Sequence, residues 1–531
     1  MSKLEKISVA IFFIIALAAF QYVSKLNYYV SQLDSANMVE NIDTTYFKGV
    51  PSSQINKSVV DALASVITQT ASDVCSQPLI SSNTESTKIF DRHAYVILYI
   101  LAPFRSIFSG QAIAAFSHAL GFIGLLFSIY FFLRSKNLPI FATLAFGLMV
   151  SAHPVWSGMF GQFYPDRLFL FAGYLYVVLV HQQLTKKSEH TGYILVLAVL
   201  TSLIHERAAL MVGGFTLASL LLYRNWSGWS RKDVPLVAAA VCSLSYAIGY
   251  MVLFNQNPDY GSFTSSLASF TDTVLNNETF RFNLEKFLIV NLGFLILAVF
   301  EWRLALIAFG AMLPNIIGTI GGAEKTGWST HYHSTYFPFL VAAASIGSIR
   351  LWQVVQARSI KWMIVVPFAV IGAFLALLDP DSISPLVKLK SSNVANNSLV
   401  KIVEVLTNTG NGRGIRSNAN FRRGVADEVP NGAVVTTFEG MFPSLLGRER
   451  ILHYYPLGLG NANYAVLPYS MDNQGVMQLS GAVTYLGPEN SSKLDSCLSA
   501  RIRDAGYKVV KRFSMLPDNR AGTVILKRDV D

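Results

Sequence analysis

Charge is what this chain has least of. Asp, Glu, Lys and Arg make up 14% of its 531 residues, against 52% hydrophobic ones, where a soluble protein carries about 25% charge. That shortage excludes an ordinary soluble globular protein. Cysteine is also scarce. Cys75, Cys242 and Cys497 supply neither a metal cluster nor a disulfide framework, although Cys75 and Cys497 both fall outside the cytoplasm in the topology below and could form one bridge. The first apolar run lacks a small-residue cleavage site and is followed by the bulky Tyr28 and Tyr29, so it reads as an uncleaved span and not as a removable signal. The C-terminal part has no glycine-rich phosphate loop and no nucleophile elbow. The membrane part shows no internal repeat, whereas a transporter or flippase of the inverted-repeat type would show one.

What the chain does have is apolar length. Its mean hydropathy is +0.41, and several runs approach or exceed the roughly 18 residues of a spanning helix. The net charge of +10 does not signal nucleic acid, because the basic residues cluster at the ends of spans, as expected where Lys and Arg are kept in cytoplasmic loops. The composition predicts a polytopic α-helical membrane protein.

Lys3 and Lys6 precede the first span, 7–23, which places the N-terminus in the cytoplasm and Asp34 outside. Residues 27–92 form a long external loop. The apolar stretch 93–108 is short, and charge parity assigns it to the outer face. A second external loop, 152–167, is rich in aromatics. The stretch 193–223 is apolar throughout except for His205, Glu206 and Arg207 in its middle, and both its flanks are basic. Equal flanks predict a hairpin with both ends in the cytoplasm. Each arm of about 14 residues spans roughly 21 Å of a hydrocarbon layer about 30 Å thick. The apex then stops below the outer surface, where three ionisable groups persist only beside a water-filled cavity. Further external loops at 255–286 and 321–335 and a last crossing at 362–378 bring the total to about eleven spans and leave the C-terminus outside. The membrane domain is 1–378, followed by a 379–420 linker and a small extracytoplasmic α/β domain over 421–531. That domain has short strands near 433–437, 451–455, 464–467, 507–513 and 522–526, and a helix at 492–505.

A transferase outside the cytoplasm has no nucleotide sugars to draw on, so its donor is a sugar on a lipid phosphate. The leaving phosphate needs a cation. The acceptor hydroxyl needs a carboxylate within hydrogen-bond reach as base. The chain carries the parts: Asp34 as the catalytic carboxylate, and Asp91, Arg92, His93, Asp166, His205, Glu206, Arg207, His331 and His333 as substrate-binding groups. Bland readings stand beside these. Asp34 could cap the helix that follows it, Glu40 is expected to face solvent, and Asp166 could begin a helix at its positive end. His205, Glu206 and Arg207 could neutralise one another. His331 and His333 with Asp34 or Glu206 could ligate a divalent metal, but two histidines at that spacing are a weak signal; no cofactor is expected.

In order along the chain, Leu33-Asp34-Ser-Ala-Asn-Met, Arg92-His93-Ala-Tyr-Val-Ile, Phe163-Tyr-Pro-Asp166, His205-Glu206-Arg207-Ala-Ala-Leu and His331-Tyr-His333-Ser-Thr-Tyr resemble a family of predicted prokaryotic membrane proteins of unknown function. That family is similar in layout to the GT-C glycosyltransferases, such as protein mannosyltransferases and the aminoarabinose transferase. The resemblance implies a multi-span core in the inner membrane, an external C-terminal domain, and a base at Asp34. It implies transfer of a sugar from a polyprenyl-phosphate donor to an envelope or lipid acceptor, and the cations expected on the phosphate are Arg92, Arg207 or His333. The expected partners are membrane lipid and the polyprenyl-phosphate sugar, and not nucleic acid. The rival functions are a transporter of lipid-linked substrates and a non-catalytic assembly protein.

Overall fold

A computed structural model describes residues 3–30, 33–55, 57–58, 87–88, 93–161, 163–186, 190–224, 231–253, 278–317, 331–357, 371, 398–447, 449–480, 495, 497, 499–514 and 520–529. The chain packs as two compact units. One is Met1–Ser24 with Phe90–Gly412, and the other is Lys25–Ile89 with Arg413–Asp531.

The first unit is helical. It contains most of α1 (Lys3–Val30). Then come α3 (Ile97–Leu101), α4 (Gly110–Ser135), α5 (Ile140–Ala152), α6 (Leu168–Lys186), α7 (Thr191–Ser202), α8 (Glu206–Tyr223), α9 (Val234–Leu253), α10 (Glu278–Ala298), α11 (Trp302–Ile317), α12 (Phe337–Ala357) and α13 (Ser398–Thr407). Among the described residues seven helices are long and apolar enough to cross a membrane, or eight if α5 and the bent 3-10 turn after it count as one span. This is the polytopic class expected from composition. The expected crossing at 362–378 falls almost wholly outside the described residues. The 193–223 stretch is broken at the predicted place, but its arms are unequal. α7 has 12 residues and α8 has 18, enough to span alone.

Burial separates the centre of this unit from its rim. The α12 span is 78% buried and that of α1 is 11%, so α12 is the central helix and α1 faces lipid. Small residues let α12 approach its neighbours. A Cβ built on Gly347 would lie 1.9 Å from the Leu297 carbonyl oxygen of α10, and such contacts let helices associate without a hydrophobic drive. Hydroxyls add bonds between helices: Tyr176 with Thr216 at 2.5 Å, Tyr174 to Ser345 at 3.3 Å, and Ser202 with Ser243 at 2.9 Å. At the C-terminal end of α8, the buried Glu301 takes the Tyr223 hydroxyl and pairs with Arg350, and His181 of α6 lies 3.5 Å from it.

The second unit holds a short antiparallel pair, β1 (Ser52–Ser53) with β2 (Thr87–Lys88), and is built on a mixed sheet. β3 (Val434–Thr437) runs parallel to β4 (Ile451–Tyr454) and to β5 (Tyr464–Met471). β8 (Ala521–Arg528) pairs antiparallel with β5, and β7 (Tyr507–Ser514) closes that edge. β6 (Met477–Leu479) pairs with the end of β5. The expected α/β domain is therefore present. Cys497 is disulfide-bonded and Cys242 is a free thiol; Cys75 lies outside the described residues. Polar segments read as loop or linker hold helices: α2 (Leu33–Lys48) between 27 and 92, and α13 and α14 (Gly410–Asp427) around 379–420.

α2 is amphipathic in a quiet way. Ser35, Ala36, Met38, Val39, Ile42 and Thr45 are buried at helical spacing, and Ala36 belongs to the core formed by Val435, Leu452, Val466 and Ile525. Glu40 does not face bulk solvent as expected. Its carboxylate accepts the Ser53 hydroxyl at 2.6 Å and the backbone N–H groups of Gln54 and Ile55 at 3.1 and 3.2 Å. Burial pushes this carboxyl above its usual range, against the pull of those three bonds. Glu40 thus clips residues 52–55 back onto α2.

Two outcomes follow for stability. Gly347→Val drives a side chain into the α10 backbone and costs at least about 2 kcal/mol by overpacking; the thermal midpoint of the detergent-solubilised protein should fall by several degrees. His453, buried on β4, is pulled by burial to about 4 from an ordinary value near 6.5. The unfolded chain takes up that proton first, so stability is full above about pH 6.5 and is lost progressively towards about pH 4. Hydrogen exchange in β3–β5, corrected for the intrinsic rate, should rise over that window in the wild type and rise less in His453→Gln.

Candidate functional site

The polar cluster of the first unit stands where its helices are interrupted. Residues 93–96 are irregular, α7 stops before His205, and Pro165–Arg167 is a single 3-10 turn before α6. Non-helical backbone at membrane depth survives only where its polar groups find partners or water. Here they do. The Ala94 N–H donates to Glu206 Oε2 at 2.9 Å, the Ile97 N–H to the Leu203 carbonyl at 2.8 Å, and the Tyr246 hydroxyl to the Ala94 carbonyl at 3.4 Å. Glycines permit the close approach of the 165–167 turn. A Cβ on Gly121 of α4 would meet the Arg167 carbonyl at 2.2 Å, and one on Gly158 would meet its guanidinium at 2.6 Å.

Glu206 sits at the centre with no exposed side-chain surface. Its Oε1 is 3.2 Å from His93 Nδ1 and 3.3 Å from His205 Nε2. Asp166 accepts the Tyr95 hydroxyl on Oδ2 at 3.1 Å, and its Oδ1 is 4.0 Å from His205 Nδ1. The His205 and His93 rings lie 5.1 Å apart, and Tyr95 packs edge-on against His205. Arg207 stacks its guanidinium 4.9 Å above the Tyr332 ring. Arg167, fully buried, donates to Ser334 Oγ at 3.0 Å.

Protons, more than a metal, suit this arrangement. His93, His205 and Glu206 bring ligand-type atoms within 4.8 Å of one another, a spacing that one cation accepts. The Arg207 N–H, however, donates to His205 Nδ1 at 3.0 Å. A ring nitrogen that accepts a hydrogen bond carries no proton, so the proton of the neutral ring sits on Nε2. That is the atom facing Glu206, and a metal needs it bare.

The structure thus brings together His93, Asp166, His205, Glu206 and Arg207. His333 turns elsewhere: its Nδ1 is 3.3 Å from the Tyr336 hydroxyl and its ring packs near Phe287. Asp91, Arg92 and the His331 side chain lie outside the described residues. Asp34 belongs to the other unit, half-buried in the first turn of α2. Sequence reasoning passed over Tyr95 and Tyr246, and read Tyr332 only as a packing neighbour of the two histidines. The only signal for Tyr95 was its place two residues after His93.

One turn along α8 from Glu206, at Leu210, an apolar cavity of about 550 Å³ begins. It runs between α8 and α11 and is lined by Phe215, Ala218, Leu306, Gly310 and Phe339 among others.

No protein-family model matches this sequence, and no curated protein matches it. Among solved structures the chain is similar to ArnT from Cupriavidus metallidurans bound to undecaprenyl phosphate, with 13% identity over 97% of both chains and a TM-score of 0.49. It is also similar to the apo state of that ArnT, with 13% identity over 98% of both chains and a TM-score of 0.42.

His205 caps α8 through its ring nitrogen. His205→Ala should destabilise the protein by about 1 kcal/mol, and His205→Asn, which can cap, should recover most of it; thermal unfolding of the two variants side by side checks this.

Proposed function

We propose that the protein is a GT-C-type glycosyltransferase of the inner membrane. It moves a sugar from a polyprenyl-phosphate donor to an envelope or lipid acceptor at the outer face. The observation that supports this best is one helix with two characters. α8 begins in a cluster of ionisable groups and continues within a turn into an apolar groove. A charged head attached to a long hydrocarbon chain suits that succession. The phosphate would meet Arg207 and His93, and the first isoprene units would lie along Leu210, Phe215 and Leu306.

The N-terminus is assigned to the cytoplasm and the second unit to the exterior. The disulfide at Cys497 supports this side, because disulfides persist in oxidising compartments. Asp34 is proposed as the base that takes the acceptor proton, in keeping with the resemblance of its motif.

The test is transfer from a short-chain polyprenyl-phosphate sugar by the purified full-length protein. The wild type should transfer, and Asp34→Asn should lose about 10²–10⁴-fold in rate, the usual contribution of a positioned base. Full activity in Asp34→Asn refutes the assignment of the base. Lipid translocation in proteoliposomes without any sugar transfer refutes the transferase.

A further inference from the structure

His93 differs from its neighbours in reach. Its side chain is 27% exposed, whereas those of His205, Glu206 and Asp166 are 1%, 0% and 5% exposed. Its Nδ1 is held by Glu206 Oε1 at 3.2 Å, and Glu206 is itself fixed by the Ala94 N–H. No partner for Nε2 stands among the described residues. An imidazole gripped through one nitrogen moves protons through the other.

We propose that His93 Nε2 meets the donor phosphate and hands a proton to the departing oxygen, with Glu206 as the positioning residue. This deepens the transferase reading and rests on it. A lone pair of the acceptor oxygen forms the new bond to the anomeric carbon. The bond from that carbon to the phosphate oxygen breaks, and its electron pair stays on the oxygen. The imidazolium gives its Nε2 proton to the phosphate, and its Nδ1–H stays on Glu206. The products are a neutral ring and a singly protonated prenyl phosphate, while the acceptor gives its proton to a general base.

An imidazolium can neutralise a phosphate oxygen and also give it a proton. A guanidinium can neutralise the phosphate but gives up no proton. The groups around His93 are Glu206 at 3.2 Å, the His205 ring at 5.1 Å and the Tyr95 ring at 5.5 Å. Behind them stand Asp166, Arg207 and Tyr246.

The experiment uses full-length protein in detergent, with polyprenyl phosphate as the binding probe and its sugar ester as donor. His93→Gln should bind the lipid phosphate about tenfold more weakly, the worth of one lost charged hydrogen bond. It should turn over about 10²-fold more slowly, and the alkaline fall of the wild-type kcat should be missing from its profile. His93→Lys restores a cation with a poorly matched proton, so binding should return and rate should not. Glu206→Gln should shift the alkaline fall without removing it. Wild-type affinity in His93→Gln, or an alkaline fall that persists there, overturns the proposal, as does a divalent ion bound by the wild type and lost in Glu206→Gln. An unchanged melting temperature of His93→Gln shows that its fold is intact. A wild type that binds the lipid but transfers nothing sinks the transferase reading alone, and the binding comparison then decides whether His93 meets the phosphate.

Discussion

A carboxylate sealed from water on a membrane helix needs partners, because an unpaired charge at that depth costs at least about 2.5 kcal/mol. Glu206 has them on three sides: an imidazole nitrogen of His93, the ring of His205, and the Ala94 N–H. Each partner comes from a place where a helix is broken. The irregular strand of residues 93–96, the end of α7 and the start of α8 are held in register by this one side chain. Without it, two imidazoles and a backbone amide would be left without their shared partner, and the helix interruptions around it would lose the group that satisfies them.

The membrane class and the break at 205–207 were legible because ionisable residues in an apolar run stand out against their surroundings. Asp166 was legible for the same reason, next to a proline that begins a helix. The aromatic half of the site was not. With 23 tyrosines and 36 phenylalanines in the chain, nothing marks Tyr95 or Tyr332 as a partner of a charged group. The loop expected at 152–167 is in fact two 3-10 turns with Trp156, Met159 and Arg167 buried, since aromatic residues at a membrane edge can equally pack inward.

The second unit was half legible. Its strands alternate or run apolar, and they appear where expected. α2 was missed because its buried face is made of Ala, Ser and Thr as much as of Met, Val and Ile, which weakens the periodic signal. The role of Glu40 follows from a turn that brings Ser53, Gln54 and Ile55 back to it, and such a return cannot be read from residue spacing. The segment 25–89 completes a core with residues more than 350 positions later: Ala36 and Ile55 sit with Val435 and Ile525. This unit therefore cannot close until synthesis is nearly finished.

α8 is fastened at both ends. Its first turn is held through Glu206, and its last through the Tyr223 hydroxyl on Glu301, which also engages Arg350 and His181. A helix pinned in this way can neither slide along its axis nor roll about it without breaking charged contacts on one face of the bilayer or the other. It behaves as a fixed rail. Any rearrangement around it falls to a lighter element beside it, such as the short α7 or the 3-10 turn at His331–Ser334.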